Sequence, residues 1–165
     1  MQTFLPFDSY IRSAEALDDS RLHNQVNEAL VIMASALRLR RVEEDYVPVP
    51  VGEKVGWENH PAVKMWAGSV NCLALYTLEC MTELCQRKHS SGSARATDSV
   101  RWLRLQKLWK HARIAGSDKD PAWIANEALF RSHQSNLIRK LPEHYVPLFP
   151  GVPNDLPYVW PAGHP

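Results

Sequence analysis

Ser20-Arg21-Leu22-His23-Asn24-Gln25-Val26-Asn27-Glu28-Ala29-Leu30 is the stretch that sets the fold class. Leu22, Val26, Ala29, Met33, Ala36 and Leu37 recur at three- and four-residue steps, the period of a helix buried along one face. Asp18-Asp19-Ser20 in front offers an N-cap, and Arg38, Arg40 and Arg41 suit a helix C-terminus. The spacing therefore predicts a helix running to about Arg41. Arg21, Gln25 and Glu28 form a second row, off the apolar stripe. Periodicity alone reads Glu28 as a solvated carboxylate. The alternative is a base or electrostatic stabiliser whose neighbours fix its rotamer.

Before this helix, residues 1–10 are expected to be extended, since Pro6 bars an early helix. Phe4, Leu5 and Phe7 are candidates to pin that arm into the core, and Ser13 to Leu17 suit a short helical turn. Gln2 is a large second residue, so Met1 is expected to be retained. A free α-amine titrates near ~7.7–8.0, which makes it a better nucleophile at neutral pH than an ordinary lysine. Most such amines stand idle in solvent.

After it, residues 42–58 carry Pro48, Pro50, Gly52 and Gly56 and read as a long loop. Asn59-His60-Pro61 starts a second helix, expected to continue to about Arg87 through Val63, Trp66, Val70, Leu73, Met81 and Leu84. Residues 88–97 have linker composition. A third helix is expected from Asp98 to Ala112, with Trp102, Leu105, Leu108 and Trp109 on one face. Arg101, Arg104, Lys107, Lys110 and Arg113 spread over the rest of it with no acid between them. Such a single-sign face suits phosphates, although many are merely solvated. A Gly-Ser-Asp-Lys-Asp loop leads to Pro121, read as the start of a fourth helix ending near Lys140. From Pro142 on, seven prolines fall in 24 residues among Tyr145, Phe149, Tyr158 and Trp160. This reads as an irregular tail pinned over the helices by its rings, with base stacking as the functional alternative.

The expected fold is thus all-α: residues 1–165 as one compact domain of about four helices with a Pro- and aromatic-rich tail. A net charge of +1 and 22% charged residues do not mark the whole chain as a nucleic-acid binder. Three cysteines without a CxxC pair point to reduced thiols and a cytoplasmic protein. No leader and no long apolar run are visible, so neither secretion nor a membrane partner is expected. Gly-rich phosphate loops, GxSxG elbows and HExxH patterns are absent from the sequence. His60, His133 and His144 can converge with Glu28 in a helical fold, but nothing in their spacing favours a metal. No metal and no cofactor is expected.

Five segments together resemble a known family, the pyrimidine-dimer DNA glycosylases, and more closely its bacterial and phage branch. They are Met-Gln-Thr-Phe-Leu-Pro at 1–6, Leu-Asp-x-x-Arg-Leu-x-x-Gln-x-x-Glu at 17–28 and Asn-His-Pro-Ala-Val-Lys-Met-Trp at 59–66. The others are Ser-His-x-Ser-Asn-Leu-x-Arg-Lys at 132–140 and the run from Pro142 to Pro161. The resemblance implies a compact helical domain. It implies that an N-terminal amine attacks the sugar C1′ of a damaged pyrimidine nucleotide and that elimination then nicks the strand at the abasic site. It matches Glu28 to the catalytic carboxylate, His60 to the histidine at the second helix start, and the region of His144 and Tyr145 to a DNA-facing stretch.

On this basis Met1 and Glu28 are the expected catalytic residues. Arg21, Gln25, His60, His133, Tyr145 and Trp160 are the expected substrate-binding residues. Arg101, Arg104, Lys107, Lys110, Arg139 and Lys140 are the expected phosphate-binding residues, and damaged or modified DNA is the expected partner. Two alternatives stand beside this. One is an N-glycosidic hydrolase acting on a nucleotide or hypermodified base. The other is a non-catalytic protein that binds a nucleotide or nucleic acid.

Overall fold

The computed structural model describes residues 2–91, 97–115 and 120–161. In chain order these form α1 (Tyr10–Ala16), α2 (Asp19–Ala36), a hairpin of β1 (Leu39–Val42) and β2 (Asp45–Pro48), α3 (Pro61–Trp66), α4 (Val70–Ser91) and α5 (Thr97–Ala115). A 3-10 turn (Ala122–Ala125), α6 (Glu127–Lys140) and α7 (Pro142–Leu148) follow. The all-α class is borne out. The expected four helices are seven among the described residues, because the second pattern divides in two and short helices also form at Tyr10–Ala16 and Pro142–Leu148.

The first helix stops at Ala36 rather than Arg41. Arg38 takes a left-handed backbone, φ 53°, and the chain turns into β1. The Arg38 guanidinium explains why that conformation persists: it donates to Glu53 O (2.8 Å) and Glu58 Oε2 (3.1 Å), tying the 49–58 loop to the helix end. Part of the expected 42–58 loop is therefore a strand, β2, paired antiparallel with β1 from Leu39 opposite Pro48 to Val42 opposite Asp45. Only Leu39 and Tyr46 of this hairpin point inward.

The second pattern divides at Gly68, whose φ of 82° ends α3 before α4 begins. His60 caps α3 by accepting from Ala62 N at 3.1 Å, and Pro61 occupies its first turn. Helix α4 extends to Ser91, beyond the expected end at Arg87; residues 92–96 of the expected linker lie outside the described residues. Pro121 opens only the 3-10 turn, and residues 116–119 of the loop before it also lie outside. Asn126 then restarts the chain as α6, its side chain accepting from Leu129 N at 3.3 Å. The tail is not wholly irregular either. Pro142 presets α7, and Pro147 falls in its last turn, where one lost backbone bond is tolerated.

Helix α2 packs against α3, α4 and α5, and α1 lies along α4. Trp66 sits at the centre, stacked on Tyr76 (6.4 Å, 12°) and edge-on to Trp123 (4.9 Å, 87°). The chain after α7 is held by α6: Ser132 Oγ accepts from Val159 N (3.1 Å), and Ser135 Oγ accepts from Leu156 N (3.0 Å). None of the three cysteines is in a disulfide, and burial pushes Cys80 up to about 12. No helix among the described residues is long and apolar enough to cross a membrane.

Gly68 has no neighbouring atom within 4 Å of where a Cβ would stand, so only its backbone objects to substitution. Gly68→Ala is expected to cost about 1–2 kcal/mol, the penalty of a left-handed L-residue. Thermal unfolding should show this as a fall in Tm of a few degrees.

Candidate active site

The extended arm at residues 2–6 has no strand partner, yet it is buried. Its backbone groups must therefore bond to side chains. Gln25, on the polar row of α2, is only 2% exposed and bonds like a second peptide: its Oε1 accepts from Phe4 N, and its Nε2 donates to Gln2 O at 2.7 Å. The Tyr76 hydroxyl from α4 reaches Phe4 O (2.7 Å) and Gln25 Oε1 (2.8 Å). Trp66 Nε1 donates to Thr3 Oγ1 at 2.8 Å. From α6, His133 Nδ1 accepts from Leu5 N at 3.0 Å, and its Nε2 lies 2.9 Å from the side-chain nitrogen of Gln2. Gln134 Nε2 donates to Pro6 O at 2.7 Å.

This anchoring delivers the start of the chain to Glu28. Gln2 N donates to Glu28 Oε2 at 2.5 Å. Glu28 is half-buried, one helical turn beyond Gln25 on the same row. Met1 itself lies outside the described residues.

Three further rings feel the Glu28 charge. Burial lowers the His60 imidazole, the positive charge at the chain's N-terminus adds to this, and Glu28 opposes it. Burial raises the Tyr158 hydroxyl, Arg139 opposes, and Glu28 adds. Burial is also the main reason that Tyr76 titrates well above its usual value, and Glu28 contributes. Because His60 Nδ1 accepts the Ala62 N–H, Nε2 is the proton-bearing nitrogen of the neutral ring. His60 stands edge-on to Trp57 (5.8 Å) and to Trp160 (6.5 Å), and Trp160 stacks on Tyr158 (5.9 Å, 29°). A continuous ring cluster thus runs from Trp57 at the surface, past Glu28, to Phe4 and His133 inside.

Of the residues singled out in the sequence, Gln25, Glu28, His60, His133 and Trp160 come together here. Arg21 and Tyr145 meet instead at Asp18, the N-cap of α2. Tyr145 is buried, donates to Asp18 Oδ2 at 2.6 Å and accepts from Asp18 N at 3.0 Å. Arg21 forms a 3.2 Å ion pair with the same carboxylate. Burial works against that carboxylate, but Tyr145 and Arg21 together hold it below its usual range.

Lys140 Nζ lies 5.8 Å from the Phe4 ring centre, beside the arm. Arg139 donates to Asn154 O (3.0 Å) and Leu156 O (3.2 Å). The basic face of α5 is largely engaged within the fold. Arg101 bonds to Asn27 (3.1 Å) and lies 3.0 Å from a His23 nitrogen, Arg104 donates to the Tyr46 hydroxyl (3.0 Å), and Lys107 bonds to Glu44 O. Lys110 and Arg113 are exposed.

Trp57 and Gln2 also fall in this cluster, although neither was selected from the sequence, and Tyr158, read there as one of the tail's rings with stacking as the alternative, joins them. Trp57 lay in a stretch read as loop. The signal for Gln2 was its place next to the amine. A groove of about 750 Å³ between residues 6–8, α6 and the 148–152 turn shares none of these residues. Its lining carries Asp8, Asp120 and Glu127 against a single cation, Arg131, a balance that suits phosphates poorly. No cluster of metal-ligating side chains exists among the described residues.

A family model described as pyrimidine dimer DNA glycosylase matches residues 1–96, more than half of the chain. No curated protein and no solved structure matches it.

His133 is fully buried, and burial takes its imidazole from 6.5 down to about 4, with the contact to the Leu5 carbonyl oxygen (3.3 Å) opposing. The unfolded chain therefore takes up this proton first. The stability that His133 contributes is complete above about pH 6.5 and is lost as the pH falls toward 4, an effect of about 3 kcal/mol. Denaturant unfolding at a series of pH values should show this slope. His133→Asn should be less stable at neutral pH and should lack that part of the slope.

Proposed function

The chain belongs to the pyrimidine dimer DNA glycosylase family, and from that premise we propose that it excises a damaged pyrimidine through an imine to the Met1 α-amine, with Glu28 as the catalytic carboxylate, and then nicks the abasic strand. At the level of the family the activity is that of a DNA glycosylase and the partner is DNA. The observation that carries the finer reading is the 2.5 Å bond from Gln2 N to Glu28 Oε2. The amine is only three covalent bonds from that nitrogen, so ordinary peptide geometry keeps it within about 4 Å of the nitrogen. The amine is thereby held close to the Glu28 carboxylate, and the fraction that is unprotonated at neutral pH is the nucleophile.

The chemistry follows from that pairing. The amine lone pair forms a bond to C1′ of the nucleotide while the C1′–N bond to the base breaks. The departing pyrimidine keeps the bonding pair and takes a proton. Positive charge develops on the sugar, and Glu28 opposes it from a half-buried site where the attraction is poorly screened. The amine then loses its proton, the C1′–O4′ bond opens, and the imine forms. Removal of a C2′ proton expels the 3′-phosphate, which cleaves the strand. Glu28 is the group placed to carry these protons. His60, neutral with Nε2–H available, can donate to the base or the sugar oxygen. Lys140, exposed beside the arm, is placed for a flanking phosphate.

With abasic-site duplex DNA and borohydride, the protein is expected to form a covalent adduct that mass spectrometry maps to Met1. Glu28→Gln keeps an acceptor for Gln2 N and should lower excision from a thymine-dimer duplex by about 10²-fold or more. Absence of the adduct, together with cleavage indifferent to Glu28→Gln, would overturn the proposal.

A further inference from the structure

Trp57 is 60% exposed and holds a left-handed backbone, φ 65°. Both features cost stability. A large apolar ring stays in water, and a bulky residue occupies a conformation that L-residues rarely adopt. The surroundings nevertheless hold it firmly. His60 N donates to Trp57 O at 2.8 Å, closing the turn into α3. The next residue, Glu58, accepts from Val55 N (3.3 Å) and pairs with Arg38 (3.1 Å). A strained residue that the fold over-determines, with its side chain presented outward, points to a ligand for that side chain.

The location identifies the ligand. Among the described residues, the exposed large aromatic side chains are Trp57 and Tyr158. The rings of His60 and Trp160 connect the two. His60 and Tyr158 both feel the Glu28 carboxylate.

We propose that Trp57 is a specificity-determining residue that stacks on a nucleobase unstacked from the duplex next to the sugar presented to Glu28. A planar π-face is the surface that an exposed indole complements best, and base–aromatic stacking tolerates any base. Damaged pyrimidines cost least to unstack, so a stacking partner at this position rewards damage over intact duplex. The inference rests on Glu28 being the reacting centre, and its test does not depend on turnover.

The test uses the full chain carrying Glu28→Gln, so that DNA remains intact. Its affinities for a thymine-dimer duplex and for the same undamaged duplex are compared with and without Trp57→Gly and Trp57→Phe. Glycine is the informative replacement, because it removes the ring while relieving the backbone at φ 65°. The expected result is an affinity for damaged DNA about tenfold or more lower in Trp57→Gly, with undamaged binding unchanged and Tm equal or higher. Trp57→Phe should keep most of the preference.

An unchanged ratio of the two affinities in Trp57→Gly overturns the inference. A parent protein that does not distinguish the duplexes also does so, as does a parallel loss of both affinities with a lower Tm. The imine reading fails separately: borohydride adduct formation on abasic DNA involves no base at the reacting sugar and is scored in the Trp57-intact protein.

Discussion

The structure depends on the burial of a short extended arm without a sheet to receive it. Residues 2–5 bring several backbone donors and acceptors into the interior, and each left unpaired costs about 1–3 kcal/mol. Gln25 meets two of these groups with a single side-chain amide, and His133 and Tyr76 meet others. These three side chains come from α2, α6 and α4. The arm is thus a shared polar core as well as a chain terminus: moving any one of the three helices unpairs it. Such a connected network is worth more than its separate bonds, since each bond orders the groups the next one needs, although the Gln2 side-chain oxygen stays unpaired within it.

This arrangement explains why the sequence was partly transparent. The stripe through Leu22, Val26, Ala29 and Met33 is buried as its periodicity indicates, because apolar burial depends on local phase. Gln25 and Glu28 sit on a row that periodicity assigns to solvent. They are drawn inward by a partner more than twenty residues away, which no local pattern records. The hairpin was hidden for a similar reason: Arg-Val-Glu-Glu-Asp-Tyr has neither turn glycine nor alternation, and it forms because Leu39 and Tyr46 reach the core while Arg38 clamps the loop behind. The role proposed for Glu28 came from the family resemblance. Trp57 had no such support, and its exposure and backbone became meaningful only with His60 and Trp160 beside it.

The charges carry a further lesson about counting. Five cations on α5 suggest an electrostatic face, yet Arg101, Arg104 and Lys107 bond to α2 and the hairpin. Those contacts fasten α5 to the helix bearing Glu28, so the same residues serve the site through the fold. With a net charge of +1, the chain has little long-range pull on a polyanion. Attraction to phosphates then has to be local, from cations at the rim such as Lys140, and contacts made only with an unstacked base must supply much of the discrimination.

The chain divides its work unevenly along its length. The segment matched to the family model contains the arm, Glu28 and His60. The walls facing them, His133, Tyr158 and Trp160, come from beyond residue 96 and are positioned by α6, whose Ser132, Ser135 and Arg139 side chains hold the returning tail. The proposed chemistry, which needs an amine and a carboxylate within a few ångströms, would constrain the first segment tightly, because both groups would have to meet the same sugar carbon. The tail rings Tyr158 and Trp160, which do not anchor the arm, would constrain only which base fits beside that sugar. A tail fixed by serine hydroxyls and backbone carbonyls can change its rings without disturbing the amine–carboxylate pair. The architecture would therefore permit the recognised base to vary while the proposed reaction at C1′ stays the same.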